Sequence, residues 1–202
     1  MKKRKLAFLH ILPILSGPQQ NMLNMFPFLD DYDVHVLAAS EGELAKKVID
    51  YGARFHVLPH LRREIGIHDW QAAKELYRIL KQENIDILHT MASKAGFLGR
   101  VVGGFAKTPL VVHHVQAFPH YHVQSVWKQR FFLGLEWLAG RFHSVVVCVN
   151  QPEAALAQKW KLAASNKIYV IHPGFLFPQN SQYLSQSVSD SPKVIGFCGR
   201  FA

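Results

Sequence analysis

Asp86-Ile87-Leu88-His89-Thr90-Met91-Ala92-Ser93-Lys94-Ala95-Gly96-Phe97-Leu98-Gly99-Arg100 is the stretch that decides the fold. Ile87 and Leu88 begin a buried strand, a polar turn closes it, and a helix follows directly. Ser93 stands where an N-cap belongs, with Lys94 and Gly96 in the first turn. A helix N-terminus carries unpaired N–H groups and partial positive charge, which suits an anion such as a phosphate. Lys94 would add a full charge there, and Gly96 would let a ligand approach the backbone. The plainer reading makes Ser93 an ordinary cap, Lys94 a solvated side chain, and Gly96 and Gly99 packing glycines; the local pattern favours it.

Working outward, the same strand-then-helix unit recurs. Upstream come strands at Lys5–Leu12, Asp33–Ala39 and Ala53–Leu58. A turn at Ser16-Gly17-Pro18-Gln19-Gln20 leads into a helix over Asn21–Leu29. Ser40-Glu41-Gly42-Glu43 reads as a capping box for a helix that Gly52 stops. A basic turn, Leu61-Arg62-Arg63, precedes a helix over His68–Gln82 whose Trp70, Ala73, Leu76, Tyr77 and Leu80 recur at helical spacing. Downstream, strands at Leu110–Val115, Ser144–Val149 and Lys167–Ile171 alternate with helices at Ser125–Phe142 and Pro152–Lys161. Continuous apolar strands alternating with helices on short connections predict an α/β fold, a doubly wound parallel sheet with helices on both faces.

The texture changes at Phe177. Residues 177–192 are polar, Ser-rich and aperiodic, as in a linker, and Lys193–Cys198 starts another buried strand. Residues 1–176 are therefore expected to form one domain, 177–192 a linker, and 193–202 the first strand of a second, missing C-terminal domain.

Composition limits the function without naming it. With 202 residues, 49% hydrophobic, the chain can build a real core and is not of the disordered class. Its net charge of +9 favours anionic partners such as phosphorylated ligands, membranes or nucleic acid. Basicity alone argues for nucleic acid, which is not an expected partner. Lys2-Lys3-Arg4-Lys5 and the apolar run behind it imitate a secretory signal, but His10 and Pro13 interrupt the run, so a first core strand explains it better. Cys148 and Cys198 sit in strand-like apolar settings, as reduced core thiols of a cytosolic protein do.

Candidate chemistry gathers after the strand at Leu110–Val115. His113, His114, His120 and His122 lie close together, yet adjacent strand residues face opposite ways and no carboxylate lies nearby. No metal site is expected; a substrate-facing loop beyond the strand ends fits better. The Ser125–Phe142 helix carries Trp127, Phe131, Phe132, Leu135, Leu138 and Phe142 beside Lys128, Arg130 and Arg141. It reads first as a core helix with a wet basic face, and second as a helix resting on an anionic membrane surface.

Taken in order, several segments resemble the N-terminal domain of glycosyltransferase family 4, a group with the GT-B fold. These are Leu61-Arg62-Arg63 with Asp69-Trp70, then Asp86-Ile87-Leu88-His89-Thr90 with Ser93-Lys94-Ala95-Gly96, and Gly99-Arg100. Phe132-Leu133-Gly134-Leu135-Glu136, Lys167-Ile168-Tyr169-Val170-Ile171 and Gly196-Phe197-Cys198-Gly199-Arg200 follow. More narrowly, the chain is similar to bacterial transferases that build capsule, O-antigen and other lipid-linked glycans.

The resemblance implies a Rossmann-like domain that binds the acceptor, a lipid-linked glycan or polysaccharide. A second domain would hold a nucleotide diphosphate sugar donor, with no cofactor or metal. The enzyme would work in the cytoplasm, peripheral on the inner membrane face. It assigns Gly17, His89, Ser93, Lys94, Gly96, Arg100, Phe118, His120 and His122 to acceptor or anion binding. Arg200 falls to the donor diphosphate, and Pro173 and Gly174 to the hinge side. Gln116 stands where the family usually has a histidine; it can hydrogen-bond but cannot move a proton at neutral pH. Met91, Pro173 and the early Gly17-Pro18 turn depart from the pattern as well, as in a diverged copy. Two outcomes are expected: an acceptor-binding half that is inactive alone, or a non-catalytic module holding an anionic ligand at the Ser93 helix end.

Overall fold

The computed structural model describes residues 2–116, 118, 125–142 and 144–174. Seven strands, β1 (Arg4–Leu9), β2 (Tyr32–Ala38), β3 (Arg54–Val57), β4 (Ile87–Met91), β5 (Leu110–Val115), β6 (Ser144–Cys148) and β7 (Ile168–Val170), form one sheet in the order β3-β2-β1-β4-β5-β6-β7. Every pairing is parallel. The intervening helices are α1 (Gly17–Met25), α2 (Glu43–Asp50), α3 (His68–Gln82), α4 (Ser93–Phe105), α5 (Val126–Ala139) and α6 (Gln151–Lys159). This is the predicted doubly wound α/β sheet. The expected linker at 177–192 and strand at 193–202 lie outside the described residues.

Alternation along the strands divides the core. Ala7, Leu9, Leu37 and Leu88 pack under Leu76 and Leu80 of α3 and Ala95 and Val102 of α4. Leu6, Phe8, Val34 and Val36 point the other way, onto Met22 of α1 and Leu44 and Val48 of α2. A third cluster joins Val115, Val146 and Cys148 to α6. After β1 the chain winds outward through β2 and β3; α3 then returns it to β4 on the other side of β1. β1 and β4 are thus neighbours whose outgoing connections diverge, which opens a crevice at their carboxyl ends.

Four local expectations are corrected. The Ser16–Gln20 segment is no free turn. Gly17-Pro18 already forms the first turn of α1, where proline's missing N–H costs nothing, and the Gln20 N–H donates to the Ser16 carbonyl (2.8 Å). The capping box at Ser40 does not form: Gly42 is the residue before α2, and the Leu44 N–H is taken by the Pro13 carbonyl (3.2 Å). Ser93 is not a cap either. It is the first residue inside α4, and the capping position falls to Ala92, which lies in the left-handed region at φ 68°.

The fourth correction concerns α5. It is not a core helix with one wet face: only Glu136 and Ala139 are buried, while Trp127 is 79% and Phe131 55% exposed.

Candidate acceptor cleft

The switch-point crevice is a cleft of about 690 Å³. One wall is the segment after β1, with His10, Leu12 and Ile14; a second is the first turn of α1, with Ser16, Gly17 and Gln19. Met91 and Ala92 close it from β4, and Arg63 reaches in from the basic turn. A Cβ at Gly17 would meet nothing within 4 Å, so its place at the cleft is open rather than packed. Gln19 is fixed by Ser16 Oγ (2.5 Å) and donates from Nε2 to the Leu12 carbonyl (3.2 Å), which ties the α1 turn to the β1 loop. Ala92 holds its strained backbone at the edge of this cleft, a place where such residues concentrate in functional sites.

Behind the cleft floor lies a group of histidines. Thr90 pairs with Leu9, and Met91 with His114, so His10, Met91 and His114 fall in one row across β1, β4 and β5. His89 lies one step back on the same face, its ring 5.1 Å from Phe8 and stacked on His114 at 5.7 Å. The Nε2 atoms of His10, His89 and His114 are buried and have no hydrogen-bond partner among the described residues, as is true of Nε2 of Gln116 just past β5. Burial pushes the His10 pKa down to about 4. Burial, then the nearby His114 and His10 rings, takes His89 down to about 3, and burial lowers His114 too. All three are neutral at neutral pH and offer uncharged hydrogen-bonding atoms. Among the described residues, no group of three His, Cys, Asp or Glu side chains is placed to hold a metal ion.

The remaining expected site residues divide sharply. Gly96 is buried under His113: a Cβ there would run into the imidazole, so the glycine serves packing rather than ligand access. Arg100 does not reach the cleft. It is fully buried, donates from Nε to the Gly96 carbonyl (3.0 Å), and pairs with Glu136 of α5. Lys94 is not a free charge either, being held by Asp69 (2.6 Å) and the Glu64 carbonyl.

Phe118 is a core residue, 1% exposed and edge-on to Trp160 at 5.7 Å. Pro173 and Gly174 are exposed beyond β7, where the Gly174 carbonyl accepts from Asn24 of α1 (3.5 Å). His120, His122 and Arg200 lie outside the described residues. His113 and His114 point to opposite faces, as expected.

Sequence reading missed His10, which looks like a mere interruption of an apolar strand. It also left Arg63 as an unassigned basic turn. The signal for both was available: a polar residue at the carboxyl end of the first strand, and a cation on the loop before the crossover helix to β4.

A parallel α/β domain with a ligand-sized cleft at its switch point defines a Rossmann-like class, not one reaction. The sequence model of Glycosyltransferase Family 4 matches residues 30–175, and the chain belongs to that family. A curated relative, the Escherichia coli UDP-Gal:alpha-D-GlcNAc-diphosphoundecaprenol alpha-1,3-galactosyltransferase, is 31% identical over 175 residues. That match takes in 85% of this chain and 45% of the enzyme, so the chain spans less than half the relative's length.

Among solved structures, Anabaena HepE in complex with UDP-glucose is similar at a TM-score of 0.64 and 16% identity, covering 85% of this chain and 44% of that one. A UDP-N-acetylglucosamine 2-epimerase is similar at a TM-score of 0.62 and 15% identity, covering 84% and 48%. At such identities the likeness shows the fold alone: the Rossmann-like N-terminal half of a GT-B architecture.

Proposed function

We propose that this chain is the acceptor-side half of a glycosyltransferase that moves a sugar from a nucleotide diphosphate sugar to a lipid-linked acceptor. The observation that carries the reading is the switch-point cleft itself. Neutral histidines lie beneath it, and one exposed arginine, Arg63, stands at its wall. Sugar hydroxyls are recognised by uncharged donors and acceptors, and an adjoining phosphate by a cation at the rim. The relative's acceptor, a GlcNAc-diphosphoundecaprenol, has this chemistry.

Donor binding belongs to the second half of such a fold, with Arg200 as its first contributor, so sugar transfer by this chain alone is expected to be undetectable. Gln116 takes a place facing the reacting centre, where it orients a hydroxyl without accepting its proton. The chain works at the inner membrane face. This is supported by Val126, Trp127 and Phe131 exposed at the start of α5, with Arg130 over the Trp127 ring at 5.8 Å. No described helix is long and apolar enough to cross a membrane.

Calorimetric titration of the chain with a short-chain GlcNAc-diphospholipid and, separately, with UDP-galactose tests the reading. The acceptor analogue should bind, His10→Ala should weaken it at least fivefold, and UDP-galactose should bind at least tenfold more weakly. Tighter binding of UDP-galactose than of the acceptor analogue overturns it.

A further inference from the structure

A second cavity, of about 180 Å³, lies between the start of α3, the first turns of α4 and the inner side of α5. Phe97, Leu98, Phe132 and Leu135 form its walls, with the half-exposed Phe131 on its rim and Ile65 at its outer lip. Two carboxylates also reach it, but neither leaves a charge there: Asp69 is held by Lys94 and Glu136 by Arg100. The slot is therefore apolar in effect. It is larger than the roughly 150 Å³ apolar cavity known to take a benzene ring.

Its position matters more than its size. Slot and cleft meet at the strand-to-helix junction after β4, where Met91 and Ala92 line the cleft and the next two residues, Ser93 and Lys94, line the slot. On the other side the loop before α3 does the same, with Arg63 in the cleft wall and Ile65 on the slot lip. Arg62 and Arg63 are exposed there and have no ion pair among the described residues. In space the order is the apolar slot, then the exposed Arg62 and Arg63, then a cleft where His10, Ser16 and Gln19 stand among the apolar side chains of Leu12, Ile14 and Met91. Past the slot's outer lip the surface stays greasy, with Ile67 93% and Trp70 67% exposed.

We infer that this slot receives the phosphate-proximal carbons of the acceptor's polyisoprenoid tail. The diphosphate then lies at the Arg62–Arg63 boundary and the sugar in the cleft. The inference rests on the lipid-linked acceptor proposed above. Charge complementarity commits the slot to this occupant: a tail and its diphosphate present apolar and anionic chemistry in the order in which the slot and the Arg62–Arg63 pair present their complements, and His10, Ser16 and Gln19 offer uncharged partners to the sugar beyond.

The test titrates the chain with farnesyl diphosphate and with inorganic diphosphate. Farnesyl diphosphate should bind at least tenfold more tightly. Ser93→Phe, which places a ring in the slot, should erase that difference. Phe131→Ser, a rim change that removes no buried group, should reduce it at least threefold. Phe28→Ser, on an exposed aromatic remote from the slot, should leave it intact.

Retention of the tenfold preference in both slot variants overturns the inference while leaving the lipid acceptor standing, because the tail then binds elsewhere. Equal binding of the two ligands to the unaltered chain also overturns it, and the GlcNAc-diphospholipid titration decides separately whether the acceptor reading survives. A change of oligomeric state on Ser93→Phe, read by light scattering, would give the slot to a second copy and overturn it as well.

Discussion

Gly96→Ala is the most direct probe of what the Ser93–Arg100 segment does. If Gly96 serves ligand access, alanine should stabilise the free protein, since an interior helical glycine costs up to about 1 kcal/mol relative to alanine. The structure predicts the opposite sign. The new methyl would overlap the His113 ring, which is 2% exposed and tied to Thr90 by a hydrogen bond of 3.1 Å. The ring is enclosed on all but 2% of its surface, and α4 is pinned a turn later because a Cβ at Gly99 would strike the Thr90 methyl. Overpacking costs about 1–3 kcal/mol and an overlap this deep falls in the upper part of that range, about 2–3 kcal/mol, so the net loss should be about 1–2 kcal/mol after a propensity gain of about 1 kcal/mol.

For a chain of this length that is a fall in melting temperature of roughly 2–8 °C. Urea denaturation followed by circular dichroism reads it. His113→Ala removes the obstacle, so the double variant should lose less than the two single changes summed, with a coupling of at least about 1 kcal/mol. A Gly96→Ala protein as stable as the parent, or additive single changes, would refute the packing account and return Gly96 to the ligand.

Three further outcomes follow from the same contacts. Arg100→Met leaves Glu136 buried without its cation and should cost about 3–5 kcal/mol, whereas Arg100→Met with Glu136→Leu should recover most of that loss; urea midpoints of the three proteins check it. His10 has a folded pKa of about 4 against 6.5 unfolded, so the unfolded chain binds the proton first. Its contribution of about 3 kcal/mol is intact above pH 6.5 and drains away as pH falls towards 4; the pH slope of stability should flatten in that window in His10→Asn. Trp127→Ser with Phe131→Ser should cut co-sedimentation with vesicles containing anionic lipid severalfold, and undiminished binding would remove α5 from the membrane contact.

The fold was legible because a parallel sheet covered on both faces writes its central strands as apolar runs, and Leu6–Leu9, Val36–Ala38 and Val145–Cys148 are such runs. Helix starts were less legible. Ser40 and Ser93 have the chemistry of caps, but Pro13 and the Ala92 backbone, set by tertiary packing, take those places.

The site was legible in part. Gly17 lines the cleft and His89 lies just behind it, positions that a turn glycine and a histidine on a central strand signal in the sequence. Arg100 and Lys94 were misplaced because their neutralising partners, Glu136 and Asp69, lie on other helices that only the folded chain brings near. Ala92 gave no warning at all, since a left-handed residue usually announces itself as glycine.

The fate of those two cations shows how a strongly basic chain could keep the neutral sugar site proposed above. A charge of +9 suggests a cationic groove, yet Lys94 and Arg100 on α4, the helix that leads from the cleft, are matched internally. The histidines behind the cleft floor stay uncharged because burial makes protonation costly there. Among the described residues, positive charge without an ion pair is left at the boundary, on Arg62 and Arg63, and along and just past α5, where Arg130 and Arg141 lie over Trp127 and Trp137. Full charge buried beneath the cleft would bind water or phosphate in competition with sugar hydroxyls. On the proposed reading, charge held at the rim and along an aromatic helix would attract an anionic lipid surface and a diphosphate and leave the cleft to the sugar.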